Sequence, residues 1–211
     1  MDAAGSSCFC GGGGNNWIRV GWKPPSAGIF KLNTDGASRG NPGKSGAGGL
    51  IRNHEGRWVA GFCHNIGTTN SLEAELLAIR DGLELVNRLK LMNVDVETDS
   101  KLSVQLIAGS IFRGDHVNSL VSDCRRLMAE IGSTTLRHVY REANACADIL
   151  ANMGVVADGL EVFAKAPSCV AHQLHDDAIG VEYSRQMKKN ANVGVREGVM
   201  RQRLEHLGTV F

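Results

Sequence analysis

The chain has 211 residues, of which 43% are hydrophobic and 21% are charged, and its formal net charge at pH 7 is +1. This length suits one domain of ordinary size with extensions, and the apolar content is sufficient for a buried core. A charge so close to zero excludes a strong overall field that would attract nucleic acid, so any such binding requires a local basic face. No apolar run approaches the ~20 residues that a membrane span needs, and we expect no membrane association.

The N-terminal region lacks the basic and apolar segments of a secretory signal. Residues 1–16 are small and rich in glycine, which predicts disorder, and Pro24 and Pro25 predict an extended lead-in up to residue 27. The six cysteines are dispersed without a CxxC pair. Weak metal binding by Cys8 and Cys10 is the alternative to cysteines without a ligand. Together these features predict a reduced intracellular protein, in the nucleus or in the cytoplasm.

The hydrophobic period changes along the chain between that of strands and that of helices, and predicts the element order βββαβααβα. Strands are expected at 29–34, 46–52, 57–63, 94–98 and 134–139. Helices are expected at 71–89, 100–108, 116–131 and 142–153. Ser71 is the expected N-cap of the first helix, and Gly154 is the expected C-cap of the last. Three consecutive strands before α/β crossovers predict an α/β fold, a five-stranded mixed sheet flanked by helices on both faces.

The hydrophobic periodicity fades after Gly154. Residues 28–154 are therefore predicted to form the main domain, and residues 155–211 an extension that is partly helical or disordered. Within it, residues 155–183 suit strand-poor packing or a short appendage, and a helical stretch is expected near Glu197–His206.

Four acidic residues occupy places from which they could converge. Asp35 ends the first predicted strand and Asp99 the fourth, while Glu75 lies one turn into the first helix and Asp148 lies in the last helix. If the first and fourth strands are neighbours, two carboxylates lie side by side, and their repulsion favours uptake of a proton. A divalent cation removes that repulsion, and oxygen ligands without sulfur or imidazole favour Mg²⁺ or Mn²⁺. Two such ions can support phosphodiester cleavage; the alternative is four unrelated acids at caps and turns.

Several motifs together resemble the ribonuclease H family. The segments that carry the resemblance are Asp35-Gly-Ala-Ser-Arg-Gly-Asn-Pro-Gly43, Gly46-Ala-Gly48, Ala74-Glu-Leu76, Thr98-Asp-Ser100, His138-Val-Tyr-Arg-Glu-Ala-Asn144 and Ala147-Asp-Ile-Leu-Ala151. The resemblance covers about residues 28–154 and implies a ribonuclease H-like fold. Trp22-Lys-Pro-Pro25 and Arg141-Glu-Ala-Asn144 resemble the plant branch, whose members occur as stand-alone proteins and at the end of non-LTR retrotransposon reverse transcriptases.

The resemblance implies an endonuclease that hydrolyses the RNA strand of RNA–DNA hybrids with two Mg²⁺ ions, for which Mn²⁺ can substitute. In that arrangement Asp35 bridges both ions, Glu75 and Asp99 hold the ion nearer the leaving group, and Asp148 holds the ion that activates water. Glu73 competes with Glu75, but residues two apart lie ~200° around a helix, so only one of them can face the site. The Ala-Glu-Leu context favours Glu75.

His138 lies ten residues before Asp148, the spacing at which bacterial members of the family place a loop histidine that can shuttle a proton. The plant-type motif leaves open that His138 is instead a strand residue and that Arg141 lies nearer the substrate. The resemblance further implies contacts to the RNA strand from Arg39, Gly40 and Asn41. It also implies contacts to a DNA phosphate from Thr68, Thr69 and Asn70.

Binding to nucleic acid is expected to be weak and sensitive to salt, because the chain can neutralise few phosphates. Residues 108–115 are short and nearly neutral where some members of the family carry a basic protrusion. The clustered positive residues that could help are Arg125, Arg126, Arg137 and Arg141.

We expect a monomer. The alternatives to a hybrid-cleaving enzyme are a non-catalytic binding module or retroelement remnant, and a 3′–5′ exonuclease on the same fold.

Overall fold

The structure is a computed structural model of the chain and describes residues 17–109 and 115–187. Residues Arg19–Arg185 form one compact unit. The expectations for residues 1–16, for the central part of the segment 108–115 and for a helix near Glu197–His206 lie outside the described residues. In the part of the chain that is described, no helix combines the length and the apolar character that crossing a bilayer requires.

The described chain contains eight strands, five α-helices and two short 3₁₀ helices. The strands are β1 (Trp17–Val20), β2 (Phe30–Gly40), β3 (Gly43–Arg52), β4 (Trp58–Thr69), β5 (Val94–Thr98), β6 (Thr134–His138), β7 (Leu160–Phe163) and β8 (Tyr183–Gln186). The α-helices are α1 (Ser71–Arg88), α2 (Lys101–Ile107), α3 (Asp115–Ile131), α4 (Ala145–Gly154) and α5 (Ala171–Ala178). The 3₁₀ helices are Arg141–Ala143 and Ser168–Val170.

Six strands form the main sheet in the order β6-β5-β2-β3-β4-β7, and β1 pairs with β8 in a separate two-stranded sheet. β2, β3, β4 and β7 pair antiparallel in turn, whereas β5 runs parallel to β2 and to β6. The predicted α/β fold with a mixed sheet is confirmed, but the sheet has six strands instead of five. The sixth strand, Leu160–Phe163, lacks an alternating buried face, and strand prediction depends on that alternation.

Helices cover both faces of the sheet. On one face α1 and α3 bury the larger apolar cluster, in which Leu32 and Val96 of the sheet meet Leu76 and Ile79 of α1. On the other face α4 lies on β3, where Leu50, Cys146, Ala147, Leu150 and Val170 form a smaller cluster. The two clusters hold α1 and α4 against opposite sides of the central strand β2.

A buried polar network links α5 to the sheet. Arg52 of β3, with 1% of its side chain exposed, donates to Asp177 of α5 at 2.6 Å and to Asn33 of β2 at 3.0 Å. Its guanidinium lies 3.5 Å from the centroid of the Trp22 ring. Asn33 in turn donates to Asn144, at the start of α4, at 3.2 Å. Residues before 28 and after 154 therefore contribute to the interior of the compact unit.

Both predicted helix caps are wrong by one residue. Asn70, not Ser71, caps α1, because its side chain accepts the N–H of Glu73 at 3.0 Å. Gly154 is the last residue of α4 instead of its cap, and the carbonyl oxygens of Ala47 and His64 would lie 2.8 and 2.7 Å from a Cβ there. The glycine therefore serves close packing of helix on sheet, a requirement that local capping patterns do not reveal.

Candidate active site

Three of the four predicted carboxylates meet beside the carboxyl end of β5, although β2 continues past Asp35 to Gly40 instead of ending there. Carboxylate oxygens of Asp35, Glu75 and Asp99 lie within 4.8 Å of one another. Asp35 lies in β2, and Asp99 follows the last residue of β5, which pairs with Thr34 in the parallel register. The two strands therefore bring Asp35 and Asp99 side by side, and Glu75 reaches them from the first turns of α1.

A glycine allows α1 to approach the sheet closely enough for this contact. A Cβ on Gly36 would lie 2.3 Å from the carbonyl carbon of Ala74 and from the backbone nitrogen of Glu75. No side chain fits at that distance, so the residue after Asp35 has to be glycine for Glu75 to reach the cluster. The Gly36 backbone also hydrogen bonds to the Glu75 carboxylate, which favours its ionised form.

Asp148 lies in the first turn of α4 and outside the group of three carboxylates. Its charge is nevertheless close enough to contribute to the raised pKa of Asp35. Two glycines of β3 allow α4 to lie close to the sheet. A Cβ on Gly46 would lie 2.3 Å from the backbone nitrogen of Val155, just after α4, and a Cβ on Gly48 would lie 2.2 Å from that of Ala151, within α4. The predicted fourth carboxylate thus lies near enough to Asp35 to affect its pKa, on a helix of the opposite layer.

Burial and mutual repulsion change the acidity of the cluster. Burial, followed by the charges of Glu75, Asp99 and Asp148, raises the pKa of Asp35 well above its usual range. Burial and the charge of Asp99 raise the pKa of Glu75 to about 8, although hydrogen bonds from Thr98 and Gly36 and the charge of Arg141 oppose the rise. Without a bound metal ion, the cluster therefore favours uptake of a proton.

Arg141 is the cation that contacts this cluster. Its Nε donates to Asp99 at 3.0 Å, and 86% of the arginine side chain is exposed while only 9% of the Asp99 side chain is. The hydroxyl of Thr98 donates to Glu75 at 3.3 Å on the other side. The sequence left open that Arg141 lies near the substrate. It contained no signal for the hydrogen bond from Thr98 to the carboxylate group.

His138 is the last residue of β6. Its place in the structure therefore agrees with the alternative prediction of a strand residue. Its ring meets the Tyr140 ring edge-on, with 5.8 Å between the centroids. Among the described residues the carboxylate group includes no histidine. In this arrangement the loop residue that contacts Asp99 is Arg141.

Glu73 and Glu75 point to different places, as their helical spacing requires. Glu73 accepts a short hydrogen bond from the hydroxyl of Thr69, and its backbone N–H binds the cap Asn70. Glu75 joins the carboxylate group. The structure therefore brings Glu75 to Asp35 and leaves Glu73 at the start of α1.

A cleft of about 470 Å³ runs beside Glu75 along the start of α1. Its lining includes Asn41, Asn70 and Ser100, and the Asn41 side chain accepts the backbone N–H of Ser71 at 3.2 Å. The predicted substrate-binding asparagines therefore share a cleft with one of the carboxylates. Amide side chains and a helix N-terminus form a surface that can accept a phosphate.

The other predicted substrate residues lie near the turn between β2 and β3. Arg39 pairs with Lys44 across this hairpin, and Gly40 has a φ of +117°, a conformation that favours glycine. Arg39, Lys44 and Thr68 line a second cleft of about 490 Å³. The carbonyl of Thr69 accepts the hydroxyl of Ser38 at 3.1 Å, which ties β4 to this hairpin.

Comparison with known proteins identifies the family. Residues 33–154 match the family model described as reverse transcriptase-like. The "Putative ribonuclease H protein" of Arabidopsis thaliana is 36% identical over 170 residues, which are 80% of this chain and 27% of that protein. Ribonuclease HI of Halobacterium salinarum is 29% identical over 142 residues, which are 67% of this chain and 71% of that protein. This chain thus spans about a quarter of the length of the plant relative.

Solved structures agree with these sequence matches. RNase H1 from Halobacterium salinarum NRC-1 has a TM-score of 0.58 and 28% identity, and the match covers 60% of this chain and 97% of that chain. LC11-RNase H1 in complex with an RNA/DNA hybrid has a TM-score of 0.57 and 30% identity, over 60% of this chain and 96% of that chain. With a family model matched over more than half of its length, this chain belongs to the ribonuclease H family, in the group described as reverse transcriptase-like.

Proposed function

We propose that the chain is a metal-dependent endonuclease that hydrolyses the RNA strand of RNA–DNA hybrids. The observation that carries this proposal is the convergence of Asp35, Glu75 and Asp99 within 4.8 Å, with the charge of Asp148 on α4 acting on Asp35. The similarity to LC11-RNase H1, solved with an RNA/DNA hybrid, supports the choice of substrate.

The four carboxylates fit divalent cations that prefer oxygen ligands. Burial and their mutual repulsion raise the pKa of Asp35 and of Glu75, and a bound cation would remove the repulsion while displacing the proton. The absence of sulfur and imidazole donors from the group favours Mg²⁺ or Mn²⁺ over zinc. Two such ions, when bound, would supply the activation of a water and the stabilisation of the leaving oxygen.

Each carboxylate would have a separate part in holding the ions. Asp35 would help to hold both, because it is the carboxylate on which the charges of Glu75, Asp99 and Asp148 all act. Its burial, with 5% of the residue exposed, limits competition from water for its oxygens. Arg141 would hold the substrate phosphate near Asp99, since its exposed guanidinium can bind a phosphate through two N–H groups.

The cleft beside α1 would hold a phosphate of the second strand. The side-chain NH2 groups of Asn41 and Asn70 supply donors there, and Glu75 lines the same cleft. Arg39 and Gly40 at the β2–β3 turn would contact the RNA strand, where a 2′-OH distinguishes RNA from DNA. Thr69 would act indirectly, because its hydroxyl binds Glu73.

The test is cleavage of a hybrid whose RNA and DNA strands carry different labels, with Mg²⁺, Mn²⁺ or EDTA. We expect cuts in the RNA strand only, which disappear in EDTA and in Asp35→Asn. A hybrid whose RNA is flanked by DNA at both ends separates internal cuts from digestion from an end. Folded protein that binds this hybrid without cutting it in either metal would contradict the proposal and favour a binding module.

A further inference from the structure

One side chain of β8 contacts two residues of the loop beside the carboxylates. Arg185 donates from Nη1 to both carboxylate oxygens of Glu142, at 3.0 and 2.8 Å. Its guanidinium also lies over the Tyr140 ring, 4.4 Å from the centroid. An ion pair and a cation–π contact made by the same planar group fix the positions of both partners.

The contacted loop connects β6 to α4 and carries groups of the candidate active site. Arg141, which donates to Asp99, lies between the two residues that Arg185 contacts. The carbonyls of Tyr140 and Arg141 accept the N–H groups of Ala143 and Asn144, each at 2.9 Å, and so form the 3₁₀ turn. A displacement of Tyr140 or Glu142 would therefore move Arg141 directly.

The same loop also sets the start of the helix that carries the fourth carboxylate. The carbonyl of Asn144 accepts the N–H of Asp148 at 3.2 Å, and the Asn144 side chain donates to the carbonyl of Thr34 at 2.9 Å. Thr34 directly precedes Asp35 in β2. The loop thus transmits a displacement to both sides of the carboxylate site.

We propose that Arg185 is a positioning residue, which holds the loop of residues 139–144 so that Arg141 and Asp148 keep their places beside Asp35 and Asp99. The side chains of Arg185 and Glu142 are 36% and 26% exposed, so solvent and salt weaken their attraction less than that of a fully exposed pair. The consequence for cleavage rests on the proposed function, whereas the effect on the loop does not.

The first experiment measures amide hydrogen exchange in the full chain carrying Arg185→Ala. We expect the amides of Ala143 and Asn144 to exchange about 3- to 10-fold faster, as the loss of one partly buried ion pair and one cation–π contact predicts. Arg57→Ala, which removes the ion pair to Glu55 in the turn between β3 and β4, is the control and should leave these amides unchanged. Exchange at Ala143 and Asn144 that stays at the wild-type rate in Arg185→Ala would overturn the proposal.

A double-mutant cycle separates the local effect of Arg185 on the loop from a general loss of stability. Because Arg185 acts through Glu142, adding Glu142→Gln to Arg185→Ala should increase exchange by less than the product of the two single effects. Arg185→Lys keeps the charge but not the planar fork, so it should recover only part of the protection. Multiplicative effects, or faster exchange spread evenly over β2 and α1, would contradict a local positioning role.

Cleavage supplies a readout that a purely structural contact would not change. In Arg185→Ala the Mg²⁺ concentration for half-maximal cleavage of the hybrid should rise about 3- to 10-fold, in proportion to the loosening of the loop. Arg57→Ala should leave it unchanged. A looser loop with an unaltered Mg²⁺ dependence would overturn the positioning role. If the wild-type chain does not cleave at all, the proposed nuclease function fails, and the exchange experiment still decides whether Arg185 holds the loop.

Discussion

At the scale of single residues, the candidate site depends on charges that oppose folding of the metal-free protein. Asp35, Glu75 and Asp99 are brought together by β2, β5 and α1, although burial and mutual repulsion raise the pKa of the first two. Structural acids are usually paired with cations or left in water. A fold that holds like-charged carboxylates together despite their repulsion is typical of a site that binds a cation.

Replacement of Asp99 tests this opposition between activity and stability. In Asp99→Asn the hybrid-cleaving activity should disappear, because a neutral amide binds a divalent cation poorly. The Tm in EDTA at pH 8 should equal or exceed that of wild type. The repulsion from Glu75 is relieved, and the lost ion pair is worth ~1 kcal/mol at most because the side chain of its arginine partner is exposed. Cleavage assays and thermal unfolding of the same preparations check both parts; undiminished activity would refute the site.

The two glutamates of α1 offer a matched pair of substitutions. Glu75→Gln should abolish cleavage, because Glu75 lies in the carboxylate group, whereas Glu73→Gln should retain it, because an amide can still accept the hydrogen bond of Thr69. Initial rates at saturating Mg²⁺ on the same labelled hybrid distinguish the two variants. The reverse result would show that the turn of helix facing the ions had been misidentified.

The pKa of Glu75 predicts how the stability of the metal-free protein depends on pH. The group has a pKa of about 8 in the folded chain and 4.5 ordinarily, so between these values the folded state binds more protons than the unfolded state. Stability attributable to Glu75 therefore falls as pH rises through this window. In EDTA, the difference in Tm between Glu75→Gln and wild type should grow in favour of the variant from pH 5 to pH 8. A difference independent of pH would contradict the assignment.

At the scale of elements, the distances between carboxylates are set by how closely helices lie on the sheet. Gly36 admits α1 on one face of the sheet, and Gly46 and Gly48 admit α4 on the other. These glycines are neither in turns nor in a left-handed conformation, so their role is packing of backbone against backbone. A single added methyl group would push a helix, and its carboxylate, away from Asp35.

Gly48→Ala tests this requirement against a matched substitution. Its Cβ would lie 2.2 Å from the backbone nitrogen of Ala151, so α4 has to shift, at a cost of roughly 1–3 kcal/mol typical of overpacking. A Cβ on Gly159 meets no atom within 4 Å, so Gly159→Ala should be neutral or slightly stabilising. Denaturant unfolding measures both; equal stabilities would mean that the contact between α4 and β3 relaxes without cost.

Most elements could be predicted from periodicity, because the helices and central strands bury one face. Leu160–Phe163 was missed because its side chains are mostly exposed and its pairing with β4 is a long-range contact. The positions of Asp35 and Asp99 followed from the strand order, and Glu75 was separated from Glu73 by helical geometry. The contacts of Arg141 and Arg185 could not be predicted, since they depend on the path of a loop and on a strand more than forty residues away.

At the scale of the whole molecule, the family match ends at residue 154, but the packing does not. The family model covers residues 33–154, whereas the compact unit runs from Arg19 to Arg185. A buried contact joins the two parts: Arg52 of β3 pairs with Asp177 of α5 at 2.6 Å, and Gln173 donates to the same carboxylate at 3.0 Å. The segment after residue 154 therefore neutralises a charge within the matched domain.

This dependence predicts the cost of removing the acid from α5. Asp177→Ala leaves the Arg52 guanidinium buried beside Asn33 and Trp22 without a counter-charge, which should lower the free energy of unfolding by ~3–5 kcal/mol. The double variant Arg52→Met/Asp177→Leu removes both charges and should recover most of that loss, because apolar residues of similar volume can replace a buried ion pair. Urea unfolding of wild type and both variants gives the comparison. If Asp177→Ala were as stable as wild type, α5 would be only an appendage on a domain that ends near Gly154. A large loss of the free energy of unfolding in Asp177→Ala, reversed in the double variant, would make residues 155–185 part of the folding unit.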